Sequence, residues 1–386
     1  MNQIDENYDS LNETIENLKK SSNDTDSQVA LANAYYQRGI VYSQEMQYEK
    51  ALDDYDKSIE IYEKLSESNE GNANELAVTY CERALIYSSI YSMFEAALED
   101  FNKSIEIFEE LLNEDKPINP FSYPYAYSGR GMVYEALGEY EKAFEDESRG
   151  IEIYEILARD FDYDTRERLF EAYTAIIALL NYMGRYEEAI TVGKKSIEIG
   201  KNLQTSSESF DEVQLGAAYN TLGDTYSFSK DYVTGNKFYD LGIEIYERVY
   251  KESGHLWDLS SLPTAYMNRA ANYYEIGDIV KALSDGNRCI ELYQIGLNNG
   301  EKWGELERAK AYNGRGSCFL KSGDISAGIN DKKESLRILK KYMVEVPELA
   351  NDLHDTFRGY FEEVEYFIKY QKDEAQLQDF YLEFKE

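Results

Sequence analysis

Histidine is almost absent from this chain: its 386 residues include 2, His255 and His354. A Ser-His-Asp or Cys-His catalytic arrangement needs an imidazole as its general base, and imidazole is also a common ligand of metal ions. Neither histidine stands in a recognisable motif. We therefore expect no hydrolytic triad, no metal site and no cofactor, and we predict that the chain is not an enzyme.

Basic residues are few beside acidic ones, with 40 Lys and Arg against 74 Asp and Glu, which gives a formal net charge of −34. A surface that neutralises many phosphates needs clustered Lys and Arg. The charge therefore argues against duplex nucleic acid and anionic membranes as partners. Long apolar runs are missing too: the longest extends from Ala175 to Leu180, far short of the roughly 20 residues of a membrane span.

Cysteine is scarce as well, and Cys81, Cys289 and Cys318 are odd in number and far apart. This spacing is not typical of a disulfide-rich secreted domain, and the first residues lack the basic and apolar regions of a secretory signal. We expect reduced, buried thiols in a cytoplasmic protein. Disorder is not expected, because 43% of the residues are hydrophobic and 14% are aromatic.

One five-residue pattern, Ser-Ile-Glu-Ile-Tyr at residues 58–62, returns six times in related form along the chain. Its copies begin at residues 104, 150, 196, 242, 289 and 335, so each step is 46 or 47 residues. A second anchor is a tyrosine that usually follows alanine, and it keeps nearly the same period at Tyr35, Tyr80, Tyr127, Tyr173, Tyr219, Tyr266 and Tyr312. Two independent anchors with one period indicate a tandem array of seven units.

Each unit has the pattern of two helices joined by a short turn. In the first unit Tyr35 and Tyr42 lie on one helical stripe, and Ala51 and Tyr55 lie on a second one after the turn. Four units carry a turn glycine, which predicts a left-handed residue that ends the first helix. These glycines are Gly138, Gly184, Gly277 and Gly323.

The alternation of large, small and aromatic positions resembles the tetratricopeptide repeat, in a long variant of about 46 residues per unit. The third unit shows it best, with Tyr127, Gly131, Tyr134, Gly138, Tyr140 and Ala143. The resemblance implies an all-α fold, a right-handed α-solenoid of tandem helix-turn-helix repeats. It divides the chain into an N-terminal capping half-repeat and turn (1–29), seven repeats (30–346) and degenerate C-terminal capping helices (347–386).

Five units carry Arg three residues after the first Tyr, and the same five carry Asp in the second helix. The pairs are Arg38 and Asp54, Arg83 and Asp100, Arg130 and Asp146, Arg269 and Asp285, and Arg315 and Asp331. The two exceptions change together, to Ile176 with Val192 and to Leu222 with Phe238. Because a buried charge without its partner is strongly unfavourable, the covariation predicts an ion pair inside each of the five units. The alternative is that the five arginines bind an anionic ligand.

The resemblance also implies a binding groove, because the first helices of tetratricopeptide repeats line a concave surface that holds partner peptides. Carried over by position, the candidates are Tyr36, Ile40, Val78, Cys81, Leu85, Tyr125, Ser128, Met132, Thr174, Asn181, Asn220, Asp224, Met267, Tyr274 and Asn313. The N-terminal candidates are mainly apolar and aromatic, which suits a protein or peptide partner with hydrophobic anchors. The alternative is that long helices pack these side chains against neighbouring repeats.

Two functional hypotheses follow from the sequence. The first is a non-catalytic scaffold or adaptor that binds a partner protein or peptide in its concave groove. The second is a regulatory subunit of a larger enzyme or defence complex, docked through its convex face or its C-terminal cap. The acidic residues fall mostly between the units and on the outer helix faces, where they solubilise the chain rather than recognise the partner.

Overall fold

The structure of the protein is a computed structural model, and it describes residues 3–20, 24–67, 72–90, 93–160, 163–206, 210–254, 261–300 and 304–384. Within these ranges the chain forms seventeen α-helices and no strand, which confirms the predicted all-α fold. None of these helices is both long enough and apolar enough to cross a membrane.

The first nine helices are α1 (Gln3–Lys20), α2 (Thr25–Gln44), α3 (Tyr48–Glu67), α4 (Ala73–Ser88), α5 (Phe94–Asn113), α6 (Ser122–Ala136), α7 (Tyr140–Asp160), α8 (Tyr163–Tyr182) and α9 (Tyr186–Ser206). The other eight are α10 (Glu212–Phe228), α11 (Tyr232–Ser253), α12 (Ser261–Glu275), α13 (Ile279–Asn298), α14 (Glu305–Ser322), α15 (Ile325–Glu345), α16 (Ala350–Gln371) and α17 (Glu374–Phe384). Even-numbered helices from α2 to α14 are the first helices of the repeats, and the odd-numbered helices from α3 to α15 are the second.

The turns inside the repeats use left-handed backbone, as the glycine pattern predicts. The four turn glycines all have positive φ, at 75° for Gly138, 71° for Gly184, 84° for Gly277 and 90° for Gly323. The first and fifth repeats place Met46 and Lys230 in the same region, with φ of 58° and 67°. A side chain with a Cβ is strained in this region, so glycine is favoured there but is not indispensable.

The chain divides into two compact units, Met1–Met183 and Gly184–Glu386. The division falls in the turn of the fourth repeat, so α8 belongs to the first unit and α9 to the second. In the first unit the core contains fully buried Phe101 and Phe108, packed with Tyr123 and Ala126. In the second unit the corresponding layer contains Tyr239 and Tyr246, packed with Leu262 and Ala265.

The terminal helices cover the outermost repeats of their own units. Ile15 of α1 is buried against Leu31 and Tyr35 of α2. At the other end Val364 of α16 and Phe380 of α17 are buried with Leu336 of α15. These contacts cover the apolar faces that a terminal repeat would otherwise expose to solvent. The segment limits at residues 29 and 346 stay predictions.

Candidate partner-binding face

The repeats are braced internally by the five predicted ion pairs, all of which the structure forms. In each pair Arg Nε donates to one oxygen of the Asp and Nη2 donates to the other, at 2.6–2.8 Å. The aspartates are buried. Because two parallel bonds fix a planar guanidinium against a carboxylate, each pair sets the first helix of a repeat against the second. A carboxylate already satisfies each arginine, which disfavours the alternative of anion binding.

The guanidinium groups also connect successive repeats, which the sequence analysis missed. The remaining nitrogen, Nη1, donates to a side chain in the helix that precedes the repeat, at 2.5–2.7 Å. Its acceptors are Asn12 for Arg38, Asp56 for Arg83, Asn102 for Arg130, Asp240 for Arg269 and Asn287 for Arg315. Each arginine therefore ties three helices together.

The fifth repeat lacks the ion pair and fills the same space with an aromatic ring. In the sixth repeat Arg269 lies between Tyr266 and Tyr273, 5.2 and 5.9 Å from the ring centres. In the fifth repeat Phe238 takes that place: its ring centre is 6.4 Å from Tyr219 and 5.2 Å from Tyr226. In the fifth repeat Leu222 stands at the arginine position and Phe238 at the aspartate position. The ring of Phe238 thus fills the space that the guanidinium occupies in the sixth repeat. In the fourth repeat the two positions lie in different compact units.

We call the side of the first helices that carries the fifteen candidate residues the groove face. First helices of successive repeats contact each other directly, α2 with α4 and α4 with α6 in the first unit, and α10 with α12 and α12 with α14 in the second. In the first unit Met132 and Tyr125 are the exposed candidates, at 59% and 38%. The half-buried candidates of this unit are Tyr36, Ile40, Leu85, Ser128, Thr174 and Asn181.

Two candidates are not at the surface of the first unit. Val78 is 8% exposed and Cys81 is 1% exposed, and both belong to the same core cluster as Phe101. The reason is that α4 contacts both α2 and α6, which cover its groove-face positions. For Val78 and Cys81 the alternative of packing between repeats is therefore the correct one, and their side chains are not available to a partner.

A carboxyl group that the sequence analysis missed lies at the groove face of the first unit. Burial raises the pKa of Glu82, and its charge in turn contributes to the raised pKa values of Tyr36 and Tyr55, which burial mainly causes. The rings of Tyr36 and Tyr55 are 6.1 Å apart between centres. The half-buried part of this face is therefore aromatic with an acidic component, rather than purely apolar.

In the second unit the groove face opens into an acidic cavity of about 570 Å³. Asn220 and Asp224 of α10 line it, together with Asn268 of α12 and Glu305 and Glu307 of α14. Asp224 Oδ1 accepts hydrogen bonds from Tyr239 Oη and from Asn268 Nδ2. Burial nevertheless raises the pKa of Asp224, because these two donors offset only part of the loss of hydration.

A second cavity of the second unit, of about 320 Å³, lies between α12, α13 and α14. Three candidate residues line it: Met267, Tyr274 and Asn313. Its other walls are mostly small side chains, including Ala271 and Gly286. The sequence analysis predicted neither cavity, since a cavity depends on which positions of neighbouring repeats are small at the same place.

The cysteines contribute no reactive site. All three are unpaired and buried, and burial raises the pKa of each thiol. A thiol with a raised pKa is a poor nucleophile at neutral pH. In the part of the chain that the structure describes, no group of three or more His, Cys, Asp or Glu side chains is arranged to hold a metal ion.

Comparison with known proteins agrees with this geometry. Residues 30–110 match the model of the tetratricopeptide repeat family. This match covers about a fifth of the chain, and the remaining repeats share the helix-pair arrangement of the matched ones. A search of curated proteins gave no match.

Solved structures of tetratricopeptide-like repeats resemble the whole chain in fold. The apo form of RapI is 14% identical with a TM-score of 0.61, over 98% of this chain and 96% of RapI. Aspartyl phosphate phosphatase F from Bacillus subtilis is 14% identical with a TM-score of 0.54, over 99% and 92%. The apo form of the quorum sensor NprR from B. thuringiensis is 14% identical with a TM-score of 0.53, over 87% and 82%. At these identities the likeness concerns the fold alone.

Proposed function

We propose that this tetratricopeptide-repeat chain is a non-catalytic scaffold that binds a protein or peptide partner along its groove face, in the cytoplasm. The observation that carries the proposal is the character of that face. It exposes Tyr125 and Met132 in the first unit and opens into two cavities in the second. Exposed aromatic and sulfur-containing side chains are typical of surfaces that anchor a partner, and so are preformed cavities.

The similar structures support the same reading. One of them, NprR, is a quorum sensor, so the repeat fold can serve as a receptor. The acidity of the chain supports a protein partner over nucleic acid or membrane, because 74 acidic residues repel polyanions.

Site-specific photo-cross-linking tests the proposal. A benzophenone amino acid replaces Met132 on the groove face. In a matched control it replaces Met46, which is exposed at least as much but lies in the turn after α2. We expect one stoichiometric protein adduct from position 132, lost when Tyr125→Glu is added, and no adduct from position 46. An adduct from position 132 that Tyr125→Glu leaves unchanged would argue against the groove face.

The choice of variants follows from burial. Glutamate at Tyr36 or Leu85 would disturb the repeat interior as well as the surface, because both side chains pack against the core of the first unit. Glutamate at Tyr125 or Met132 changes mainly the surface. A loss of partner binding in these two variants, with unchanged thermal unfolding, therefore reports on recognition alone.

The second candidate is docking through the C-terminal cap as a regulatory subunit of a larger assembly. Three large apolar side chains of the cap are exposed: Tyr366 and Tyr370 on α16, and Leu382 on α17. Their exposure is the observation that favours this reading. A benzophenone amino acid at position 370 distinguishes the two candidates, because the scaffold proposal expects no adduct there and the subunit proposal expects the main one.

A further inference from the structure

One position of the second helices carries a large ring in three repeats, a charged side chain in two and glycine in the other two, Gly193 and Gly286. The residue after the aspartate position, which Phe238 occupies in the fifth repeat, is Tyr55 in the first repeat, Phe101 in the second and Tyr239 in the fifth. All three rings are at most 1% exposed. In the sixth repeat the same position is Gly286. The sixth repeat therefore lacks a ring that three other repeats bury between their helices.

The surroundings of Tyr55 show where such a ring lies. Tyr55 is buried with Ala51 of α3 and Ile86 of α4, and Tyr36 and Ile40 of α2 pack against this cluster. The tyrosine anchors and the Arg–Asp pairs fix the register between the first and sixth repeats. By that register Ala51, Ile86, Tyr36 and Ile40 correspond to Ala282, Cys318, Met267 and Ala271.

These four counterparts, together with Gly286, all line the cavity of about 320 Å³. The cavity thus occupies the place in the sixth repeat that the Tyr55 ring occupies in the first. Two of its walls are also smaller than their counterparts, since Ala271 replaces Ile40 and Cys318 replaces Ile86. The neighbouring side chains of the sixth repeat therefore leave open the space that a ring fills in the first repeat.

We propose that this cavity receives an aromatic side chain of the bound partner, which restores from outside the ring that Gly286 lacks. The inference rests on the proposed function, because it assigns one anchor of the partner to one place on the groove face. Ala271 and Gly314, which line the cavity, are exposed, so the opening faces solvent.

The cavity is mainly apolar, although Lys310, Asn313 and Arg315 also line it. The physical argument is that its apolar lining lacks dispersion contacts while no side chain fills the space, and water gains few hydrogen bonds against that part of the lining. A phenyl or phenol ring buries more apolar area than any aliphatic side chain. By register, the space beside Gly286 corresponds to the one that holds Tyr55, Phe101 and Tyr239 in their repeats. An aromatic anchor therefore fits it better than a branched aliphatic one.

The first experiment uses p-cresol, the side chain of tyrosine, as the probe on the full chain. Its binding is followed through the methyl resonance of Met267, which lines the cavity. We expect a saturable shift in the wild type and in Gly286→Ala, and none in Gly286→Phe, whose own ring fills the cavity. Absence of a saturable shift in the wild type would overturn the proposal.

A second blocking variant guards against misfolding. A Cβ at Gly286 would lie 3.3 Å from Arg315 Cβ, so Gly286→Phe requires a small shift of that side chain. Ala271→Trp instead adds a ring at the exposed rim of the cavity and leaves Gly286 unchanged. We expect both variants to remove the p-cresol shift while retaining the helical circular dichroism of the wild type. Persistence of the shift in a folded Ala271→Trp variant and in a folded Gly286→Phe variant would contradict the assignment.

The second experiment tests whether a bound peptide supplies the aromatic side chain. The peptides are selected from a random displayed library for binding to the wild-type chain. We expect the selected peptides to share one aromatic residue whose change to alanine weakens binding at least tenfold. Gly286→Phe should weaken binding at least tenfold as well, and the alanine change should then have little further effect. If Met132→Glu weakens binding but Gly286→Phe does not, the proposal that this cavity receives an aromatic side chain is wrong, and the proposed function is retained. Binding that neither change affects would overturn both.

Discussion

Arg130 Nε and Nη2 donate to the two oxygens of Asp146, each at 2.7 Å, and Nη1 donates to Asn102 at 2.6 Å. The single guanidinium therefore joins α6 to α7 within the third repeat and to α5 of the second. Asp146 is buried and the Arg130 side chain is 18% exposed. Such a pair is stabilising only as long as both partners are present.

The first prediction concerns the cycle Arg130→Ile, Asp146→Val and the double variant. Each single change leaves a largely buried charge without its partner, so we expect each to lower the free energy of unfolding by about 3–5 kcal/mol. The double variant should lose less than the sum of the singles, with a coupling of at least about 1 kcal/mol. Urea unfolding followed by circular dichroism measures all four proteins. Additive losses would show that the two side chains do not act as a pair.

The second prediction concerns pH and Glu147, which occupies in the third repeat the ring position of Tyr55 and Phe101. Burial raises its pKa to about 7 from 4.5. Glu135 and Asp146 add to the rise, and a hydrogen bond with Ser128 offsets part of it. Because the folded-state pKa is the higher one, the stability that Glu147 contributes is complete below the unfolded pKa near 4.5. That stability is lost as the pH rises through 7.

Glu147→Gln provides the comparison, since its amide does not titrate. Relative to this variant, the wild type should lose about 3 kcal/mol of unfolding free energy between pH 4 and pH 8, because the pKa rises from 4.5 to about 7 on folding. Denaturant unfolding at several pH values measures the difference. Glu147→Tyr, which restores a ring at this position, should remove the same pH dependence. A difference between wild type and Glu147→Gln that stays constant with pH would contradict the assignment.

The third prediction concerns the attachment of the C-terminal cap. Lys332 Nζ is buried and donates to Asn313 Oδ1 at 2.9 Å, Ser317 Oγ at 2.9 Å and Glu363 Oε2 at 2.8 Å. Burial lowers the pKa of this lysine, so its charge depends on the Glu363 carboxylate. Glu363→Gln should therefore speed amide hydrogen exchange in α16 by about tenfold or more.

Glu362→Gln is the matched control, because Glu362 is the adjacent residue of α16 and is exposed. It removes the same charge without touching Lys332, and we expect unchanged exchange in α16. Adding Lys332→Met to Glu363→Gln should restore part of the protection, since the unpaired buried ammonium is then gone. Equal effects of the two single glutamine variants would mean that the Lys332 contact does not hold the cap.

The pairing of Arg with Asp could be predicted because both partners lie in one repeat and the two exceptional repeats change both together. The third acceptor was harder to find, because it belongs to the preceding repeat. Asn or Asp stands at that position only where an arginine follows, as Asn102 before Arg130 and Asp240 before Arg269 show. This second covariation is present in the sequence, but it becomes visible only when each repeat is compared with its neighbour.

The groove face could be predicted in part, since the resemblance gives the positions but not their burial. Met132 is exposed, whereas Cys81 occupies an equivalent face and is buried, because the neighbouring first helices contact α4. How closely helices approach depends on side-chain volumes summed over three helices. The cavity beside Gly286 has the same origin. The spacing of residues within one repeat predicts neither the approach of neighbouring helices nor the cavity.

The last prediction transfers the ion pair into the fifth repeat. Leu222 is fully buried, and Phe238 lies between Tyr219 and Tyr226, where the other repeats hold a guanidinium. Leu222→Arg alone should be the least stable protein of the series, because it buries a charge with no carboxylate. Adding Phe238→Asp should recover part of the loss. The recovery stays incomplete while Lys194 stands, by register, at the position of the third acceptor.

The triple variant Leu222→Arg, Phe238→Asp and Lys194→Asn should therefore exceed the double variant in thermal stability, because the guanidinium then gains its third acceptor and loses a neighbouring positive charge. Lys194→Asn in the otherwise unchanged chain is the control and should alter stability little, since Lys194 is exposed. Melting temperatures of the wild type and the four variants measure the order. Lys194→Asn is compared in the wild type and in the double variant Leu222→Arg, Phe238→Asp. An equal rise of the melting temperature in both would show that the third acceptor does not stabilise the arginine, and that apolar packing alone connects these repeats.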